Sequence, residues 1–241
     1  YEHDEDYNNM IKYYLMAIDE GSVYAMVNLG VYYERLQDYK NMKKYYLMAI
    51  EKKNIIAMHN LANYYRNTGN GNDNNENVIK YLKMAASEGS YLAMSNLIVC
   101  YKEKNDMVNM KKYCDLTIKT YLAMNKESQK EEENKNNFFD ALVDLAYYYL
   151  KKKDYDNMEK WLLVGVNRKS VNCCIALGQY YQGTKDFKNM MKYYLLGVKY
   201  KSFISMRLLG DYYYLKRDYK NMTKYYLMAI KLKDDMSMYN L

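Results

Sequence analysis

The 241-residue sequence is half apolar, carries 36 basic and 29 acidic residues for a formal net charge of +7, and contains ten glycines and no proline. That apolar content excludes a disordered chain. The missing turn residues exclude collagen-like, proline-rich and many-stranded β architectures. No apolar run approaches the roughly 18–20 residues of a membrane span.

In chain order, two helical patterns alternate from end to end. The chain opens inside a segment around Lys12 and then reads Ala25-Met-Val-Asn-Leu29-Gly30-Val-Tyr-Tyr33. Here Ala25, Leu29 and Tyr32/Tyr33 fall at i, i+4 and i+7/i+8, a helical stripe. Asp38-Tyr-Lys-Asn-Met42-Lys-Lys44-Tyr-Tyr-Leu-Met-Ala49-Ile50 follows, with Tyr39, Met42, Tyr46, Ala49 and Ile50 on one face. The first pattern recurs from Ala57, Ala93, Ala141, Cys173 and Ser205, and a last fragment starts at Ser237. The second recurs around Lys80, Lys112, Lys160, Lys192 and Lys224, so the lysine column is spaced 32, 36, 32, 48, 32 and 32. These patterns predict about thirteen helices.

Each second-pattern helix opens on a candidate N-cap: Asp6, Asp38, Asp106, Asp154, Asp186 or Asp218, with Asn74 once in place of Asp. Two irregularities interrupt the period. Arg66 to Asn75 is four residues longer than the matching turns and rich in Gly and Asn, and is expected to be a surface loop. Sixteen extra residues between Ile118 and Asp140 include the charged run Lys126 to Lys135. It is expected either to prolong the helix or to form a flexible loop, and its Lys, Glu and Gln favour an extended helix ending near Asn136.

A short helix with one apolar stripe cannot bury it alone, so antiparallel pairs must cover each other and then the next pair. The expected fold is all-α, an α-solenoid (right-handed superhelix) of about seven stacked antiparallel helix pairs. Residues 1–241 are expected to form one array, incomplete at both ends, with an irregular charged insertion at about 119–137. Small residues at Ala25, Ala57, Ala93, Ala141, Cys173 and Ser205, and at Ala17, Ala49, Ala85, Gly165, Gly197 and Ala229, let neighbouring helices approach closely.

Chemistry-bearing motifs are missing. His3 and His59 are the two histidines, and no paired-His, CxxC or Cys/His metal spacing occurs. There is no phosphate-cradling Gly-rich loop. Cys100, Cys114, Cys173 and Cys174 suit buried free thiols in a reducing compartment. No enzyme, cofactor or metal is expected. The columns that change down the array are a different matter. One runs Val27, His59, Ser95, Val143, Ile175, Arg207. A second runs Val31, Asn63, Val99, Tyr147, Gln179, Asp211. A third runs Glu34, Arg66, Lys102, Leu150, Gln182, Tyr214. Packing demands no such diversity.

These columns resemble the Sel1-like repeat of the tetratricopeptide superfamily over essentially the whole chain. Ala25, Leu29, Gly30, Tyr33, Tyr46 and Ala49 stand at scaffold positions, and the 36-residue stretch Ala57 to Leu92 is the best copy. Met42 replaces the usual Ala, and the Pro that closes most tetratricopeptide repeats is absent. Together with the Asn-, Lys-, Tyr- and Met-rich composition expected of an A/T-rich genome, the chain resembles Sel1-like proteins of giant DNA viruses of amoebae. The resemblance implies a cytoplasmic scaffold or adaptor, in the host cytoplasm if the source is viral. It implies that the changing columns line a concave face that binds a protein or peptide. The partner-binding candidates are His59, Asn63, Arg66, Tyr147, Gln179, Arg207, Asp211 and Tyr214. The alternative is an RNA-binding solenoid, opposed by lysines that recur with the repeat rather than gather on that face. No membrane partner is expected, and exposed apolar ends could pair between molecules.

Overall fold

The computed structural model describes residues 2–68, 72–124, 126–232, 234 and 236–237, the side chains of 2–6, 72–74 and 130 excepted. Among the described residues there are thirteen α-helices, one short 3-10 turn and no strand. Second-pattern helices are α1 (Glu2–Asp19), α3 (Tyr39–Glu51), α5 (Asn72–Ser87), α7 (Met107–Ala123), α9 (Tyr155–Asn167), α11 (Phe187–Lys199) and α13 (Tyr219–Ile230). First-pattern helices are α2 (Val23–Arg35), α4 (Ile55–Thr68), α6 (Tyr91–Glu103), α8 (Glu132–Lys151), α10 (Val171–Gly183) and α12 (Phe203–Leu215). They gather into two compact units, Tyr1–Tyr113 and Cys114–Leu241, with the division inside α7.

Within the units α2, α4, α8, α10 and α12 each pair with the helix that follows, and successive pairs stack through α1–α2, α3–α4, α5–α6, α9–α10 and α11–α12. The shared core is the Leu column, Leu29, Leu61 and Leu97 in one unit and Leu145, Leu177 and Leu209 in the other, all fully buried. Met42, Met110 and Met190 are buried with them.

Apart from the α4–α5 and α7–α8 connections, the helices are joined by three-residue turns that do two jobs at once. After α2 the amide of Asp38 donates to Tyr33 O and that of Gln37 to Glu34 O, the paired bonds of a Schellman motif. Asp38 then caps α3, its Oδ1 accepting from Asn41 N at 3.1 Å and its Oδ2 from Asn41 Nδ2 at 2.6 Å. The same Asp–Asn box recurs at Asp106, Asp154, Asp186 and Asp218. First-pattern helices are capped instead by Ser22, Ser90, Ser170, Ser202 and Asn54. Between the two caps sits one residue at positive φ, a lysine in half of the turns (Lys53, Lys153, Lys169, Lys185 and Lys201) and otherwise Gly21, Gln37, Gly89, Asn105 or Arg217.

Three local expectations are corrected. Asp6 and Asn74 are not N-caps, because α1 and α5 already include those positions. The loop expected from Arg66 to Asn75 is largely consumed by helix. α4 continues to Thr68, whose hydroxyl donates to Tyr64 O, and α5 starts at Asn72. Only 69–71 lie outside the described residues.

The continuous helix expected through Lys126 to Asn136 is broken. α7 stops at Ala123, a 3-10 turn spans Ser128–Lys130, and α8 begins at Glu132. The cause is a side chain. Gln129 Nε2 donates to Tyr121 O at 3.0 Å and Met124 O at 3.1 Å, satisfying carbonyls at the end of α7. Tyr121 Oη donates back to Gln129 O. Glu132 and Glu133 thereby fall in the first turn of α8, where negative charge is favourable.

Candidate functional site

The tyrosines explain which faces are occupied by packing. Tyr33 stacks on Tyr45, Tyr65 on Tyr81, Tyr101 on Tyr113, Tyr181 on Tyr193 and Tyr213 on Tyr225, with centroids 5.6–5.8 Å apart. Lys44, Lys80, Lys112, Lys192 and Lys224 each place their ammonium 4.9–5.6 Å from the centroid of the following tyrosine ring. These lysines therefore contribute cation–π contacts along the helix pairs. Much of the recurring basic charge is thus committed to the aromatic stacks.

A second set of tyrosines is buried where a glycine makes room. A Cβ on Gly30 would lie 2.5 Å from the Tyr46 ring. On Gly178 it would lie 2.2 Å from Tyr194, and on Gly210 2.4 Å from Tyr226. Each ring sends its hydroxyl outward to an acceptor on the first-pattern helix of its own pair. Tyr46 Oη donates to Glu34 Oε2 at 2.6 Å, Tyr194 Oη to Gln182 Oε1 at 2.8 Å, and Tyr226 Oη to Asp211 Oδ1 at 2.6 Å. Asn60 of the next pair donates to Tyr46 Oη at 3.3 Å. Burial pushes the Tyr46 and Tyr194 phenols up, the latter to about 12. They remain protonated donors.

The expected partner-binding residues divide by depth. Asn63, Arg66, Tyr147, Gln179 and Tyr214 are exposed on first-pattern helices. His59, Arg207 and Asp211 are only partly so. In the first unit, His59 Nε2 lies 2.8 Å from Ser90 Oγ, the hydroxyl that caps α6. Burial and the nearby Arg66 cation hold its pKa below the usual imidazole value. His59 therefore serves the seam between α4 and α6 as well as the face. Val27 is buried outright, at 6% exposure.

In the second unit, Tyr147 and Gln179 are brought together. With Val143, Ala146, Leu150, Met158, Leu162, Ala176 and Tyr180 they line a recess of about 330 Å³ between α8 and α10, floored by α9. Lys151 Nζ lies 5.3 Å from the Tyr147 ring centroid. Asp211 and Tyr214 border a second recess of about 450 Å³ with Leu215 and Tyr226. The sequence reading singled out Tyr147 and Gln179 but not the apolar floor. The available signal was Leu162 standing where four of the six sister helices carry Tyr14, Tyr46, Tyr194 and Tyr226.

Among the described residues no group of three or more His, Cys, Asp or Glu side chains could hold a metal ion. No described helix is long and apolar enough to cross a membrane. The four cysteines are free, and burial pushes the Cys173 thiol up to about 12 and that of Cys174 to about 11. Neither is a thiolate nucleophile at neutral pH.

Comparison with known proteins agrees with this geometry. The tetratricopeptide repeat model matches residues 23–51 and 171–202, one helix pair in each unit. Among solved structures, the protective antigen c5321 of uropathogenic Escherichia coli, described as displaying an SLR fold, has a TM-score of 0.60 at 15% identity. The match covers 96% of this chain and 50% of that one, so this chain spans half the length of that relative. A Sel1 repeat protein from Oxalobacter formigenes gives a TM-score of 0.56 at 15% identity, covering 86% of this chain and 85% of that one. Pseudomonas aeruginosa pilF gives 0.53 at 12%, covering 90% and 95%. Such identities speak for fold alone: stacked antiparallel helix pairs similar to those of tetratricopeptide and Sel1-like repeat proteins. No curated protein sequence matches the chain.

Proposed function

We propose that this chain of tetratricopeptide- and Sel1-like repeats is a non-enzymatic adaptor, and that it docks a protein or peptide on the exposed faces of its first-pattern helices. The observation that carries the reading is a division of labour between columns. The repeated Leu column and the recurring Met42, Ala49 and Tyr46 positions are largely buried. Asn63, Arg66, Tyr147, Gln179 and Tyr214 differ from repeat to repeat and are exposed. Aromatic and arginine side chains on such a face are the residue types that dominate binding energy. The cation–π duty of the recurrent lysines favours this reading over one in which the basic excess tracks a nucleic-acid backbone. The adaptor's working compartment is taken to be the cytoplasm, that of the host if the source is viral, in keeping with four free thiols.

The test is affinity capture from the native cell, identification of the partner by mass spectrometry, and titration of the purified pair. Tyr147→Ala and Arg66→Ala should each weaken binding by more than about tenfold while leaving helix content unchanged. Undiminished affinity in both variants would count against the docking face. So would tight binding to generic RNA that collapses as salt is raised.

A further inference from the structure

Four positions that act together in one helix-pair junction are all altered in another. In the first unit Gly30 makes room for Tyr46, whose hydroxyl is held by Glu34 and Asn60. In the second unit the same four repeat positions are Ala146, Leu162, Leu150 and Ala176. The phenol, its acceptor and its donor are all replaced by apolar side chains, and the glycine has become alanine. All four line the recess of about 330 Å³ between α8 and α10. The Ala146 methyl and Leu162 occupy part of the space a tyrosine ring fills elsewhere, and the recess opens beyond them, on the side where the phenol hydroxyl and its partners would stand, with Tyr147, Gln179 and Tyr180 also in its lining. Its volume lies within the usual range of ligand pockets, roughly 300–1,000 Å³.

Charge says what should surround the entering group. Lys151, Lys152 and Lys153 follow directly on Leu150, and all three are exposed. The corresponding residues after Glu34 are Arg35, Leu36 and Gln37. The triple lysine thus coincides with the emptied junction. No acidic side chain lines the recess.

We infer that this recess is a socket for one aromatic side chain of a partner segment whose neighbouring residues are acidic. The ring rests on Leu150, Leu162 and Ala176, beyond the Ala146 methyl. The carboxylates lie toward the Lys151–Lys153 run. Burial of the ring on apolar walls supplies the affinity, and the lysines supply steering and register. This assignment rests on the docking reading above and names the chemistry of the docked segment.

The probe is an acetylated tetrapeptide amide of para-fluorophenylalanine followed by two glutamates and an aspartate, observed by fluorine NMR with the full chain. The expected result is saturable broadening of the fluorine signal that weakens as salt is raised. Ala146→Gly/Leu162→Tyr rebuilds the sister junction and fills the socket. It should lower affinity at least about tenfold, the scale of losing a buried apolar group from a pocket. Lys151→Ser/Lys152→Ser should weaken binding and flatten its salt dependence. The same peptide with alanine for the fluorinated ring should fail to displace the probe from the parental chain. This last control needs no variant to fold. Equal binding by the filled, helical variant overturns the socket, as does displacement by the alanine peptide, or no binding by the parental chain. If captured partner still depends on Tyr147 and Arg66 when the probe fails, the socket alone falls. If it depends on neither, the docking reading falls with it.

Discussion

The fit between Gly178 and Tyr194 can be tested by adding a single methyl group. In Gly178→Ala the new Cβ would stand 2.2 Å from Tyr194 Cε1 and 2.4 Å from Cδ1. Tyr194 is fully buried, so its ring has no free space to retreat into. Overpacking of this kind costs about 1–3 kcal/mol. The helix gains about 0.5–1 kcal/mol from losing an interior glycine. The net expectation is a loss of about 0–2.5 kcal/mol. Gly183→Ala is the control, because nothing lies within 4 Å of its Cβ position. It should stabilise by up to about 1 kcal/mol. Tyr194→Leu alone should destabilise by leaving a cavity. Combined with Gly178→Ala it recreates the Ala146/Leu162 combination, and the two changes should couple favourably by about 1 kcal/mol or more. Urea titrations followed by helical circular dichroism give all four values, with the slope checked for constancy. A Gly178→Ala chain as stable as Gly183→Ala, or strictly additive changes, would refute the claim that ring and glycine are matched.

Two further expectations concern the turns. Lys201 holds φ +61° and Lys169 φ +65°, so Lys→Gly at either site should stabilise by up to about 1 kcal/mol by removing left-handed strain. Gly21→Ala at φ +86° should do the reverse, and thermal melts of the three variants decide it. The caps predict acid sensitivity. The backbone amides of Asn41 and Asn189, then their side chains, hold Asp38 and Asp186 below the usual carboxylate range. At Asp106 and Asp218 the side-chain amides of Asn109 and Asn221 lead. A carboxyl with a lowered folded pKa contributes stability that is complete above its unfolded value of about 3.9 and lost as pH falls through the folded value. Stability should therefore decline below about pH 4. Replacing the four aspartates by serine, which caps without titrating, should flatten that decline. An unchanged acid limb in denaturant titrations would contradict it.

Helix number, pairing order and five of the seven second-pattern caps were legible in the sequence because they are short-range. Apolar periodicity is read within one helix, and an Asp caps the amide three residues on. The small columns were legible as columns, and the structure supplies the reason. Gly165 and Gly197 stand where a Cβ would strike Cys173 and Ser205 of the next helix. The positive-φ lysines were not legible, since lysine does not advertise a left-handed conformation as glycine does. Their geometry is imposed by two helices that each demand a cap within three residues. Nor was the break at Gln129. Helix propensity favours continuing through Lys126 to Asn136, but one amide that satisfies two carbonyls outweighs a propensity difference of a few tenths of a kcal/mol per residue.

By itself, the sequence determined an all-helical chain of repeated pairs and showed which columns repeat and which change. Only the tertiary structure decided what the variation does. His59 and Val27 share a column with Arg207 yet differ in burial, because depth at that position depends on the helix packed across it. The open recess beside Tyr147 exists because Ala146, Leu150, Leu162 and Ala176 converge from three helices. Such a vacancy is a property of side-chain volumes summed across a junction, and a linear sequence records the volumes without recording the sum.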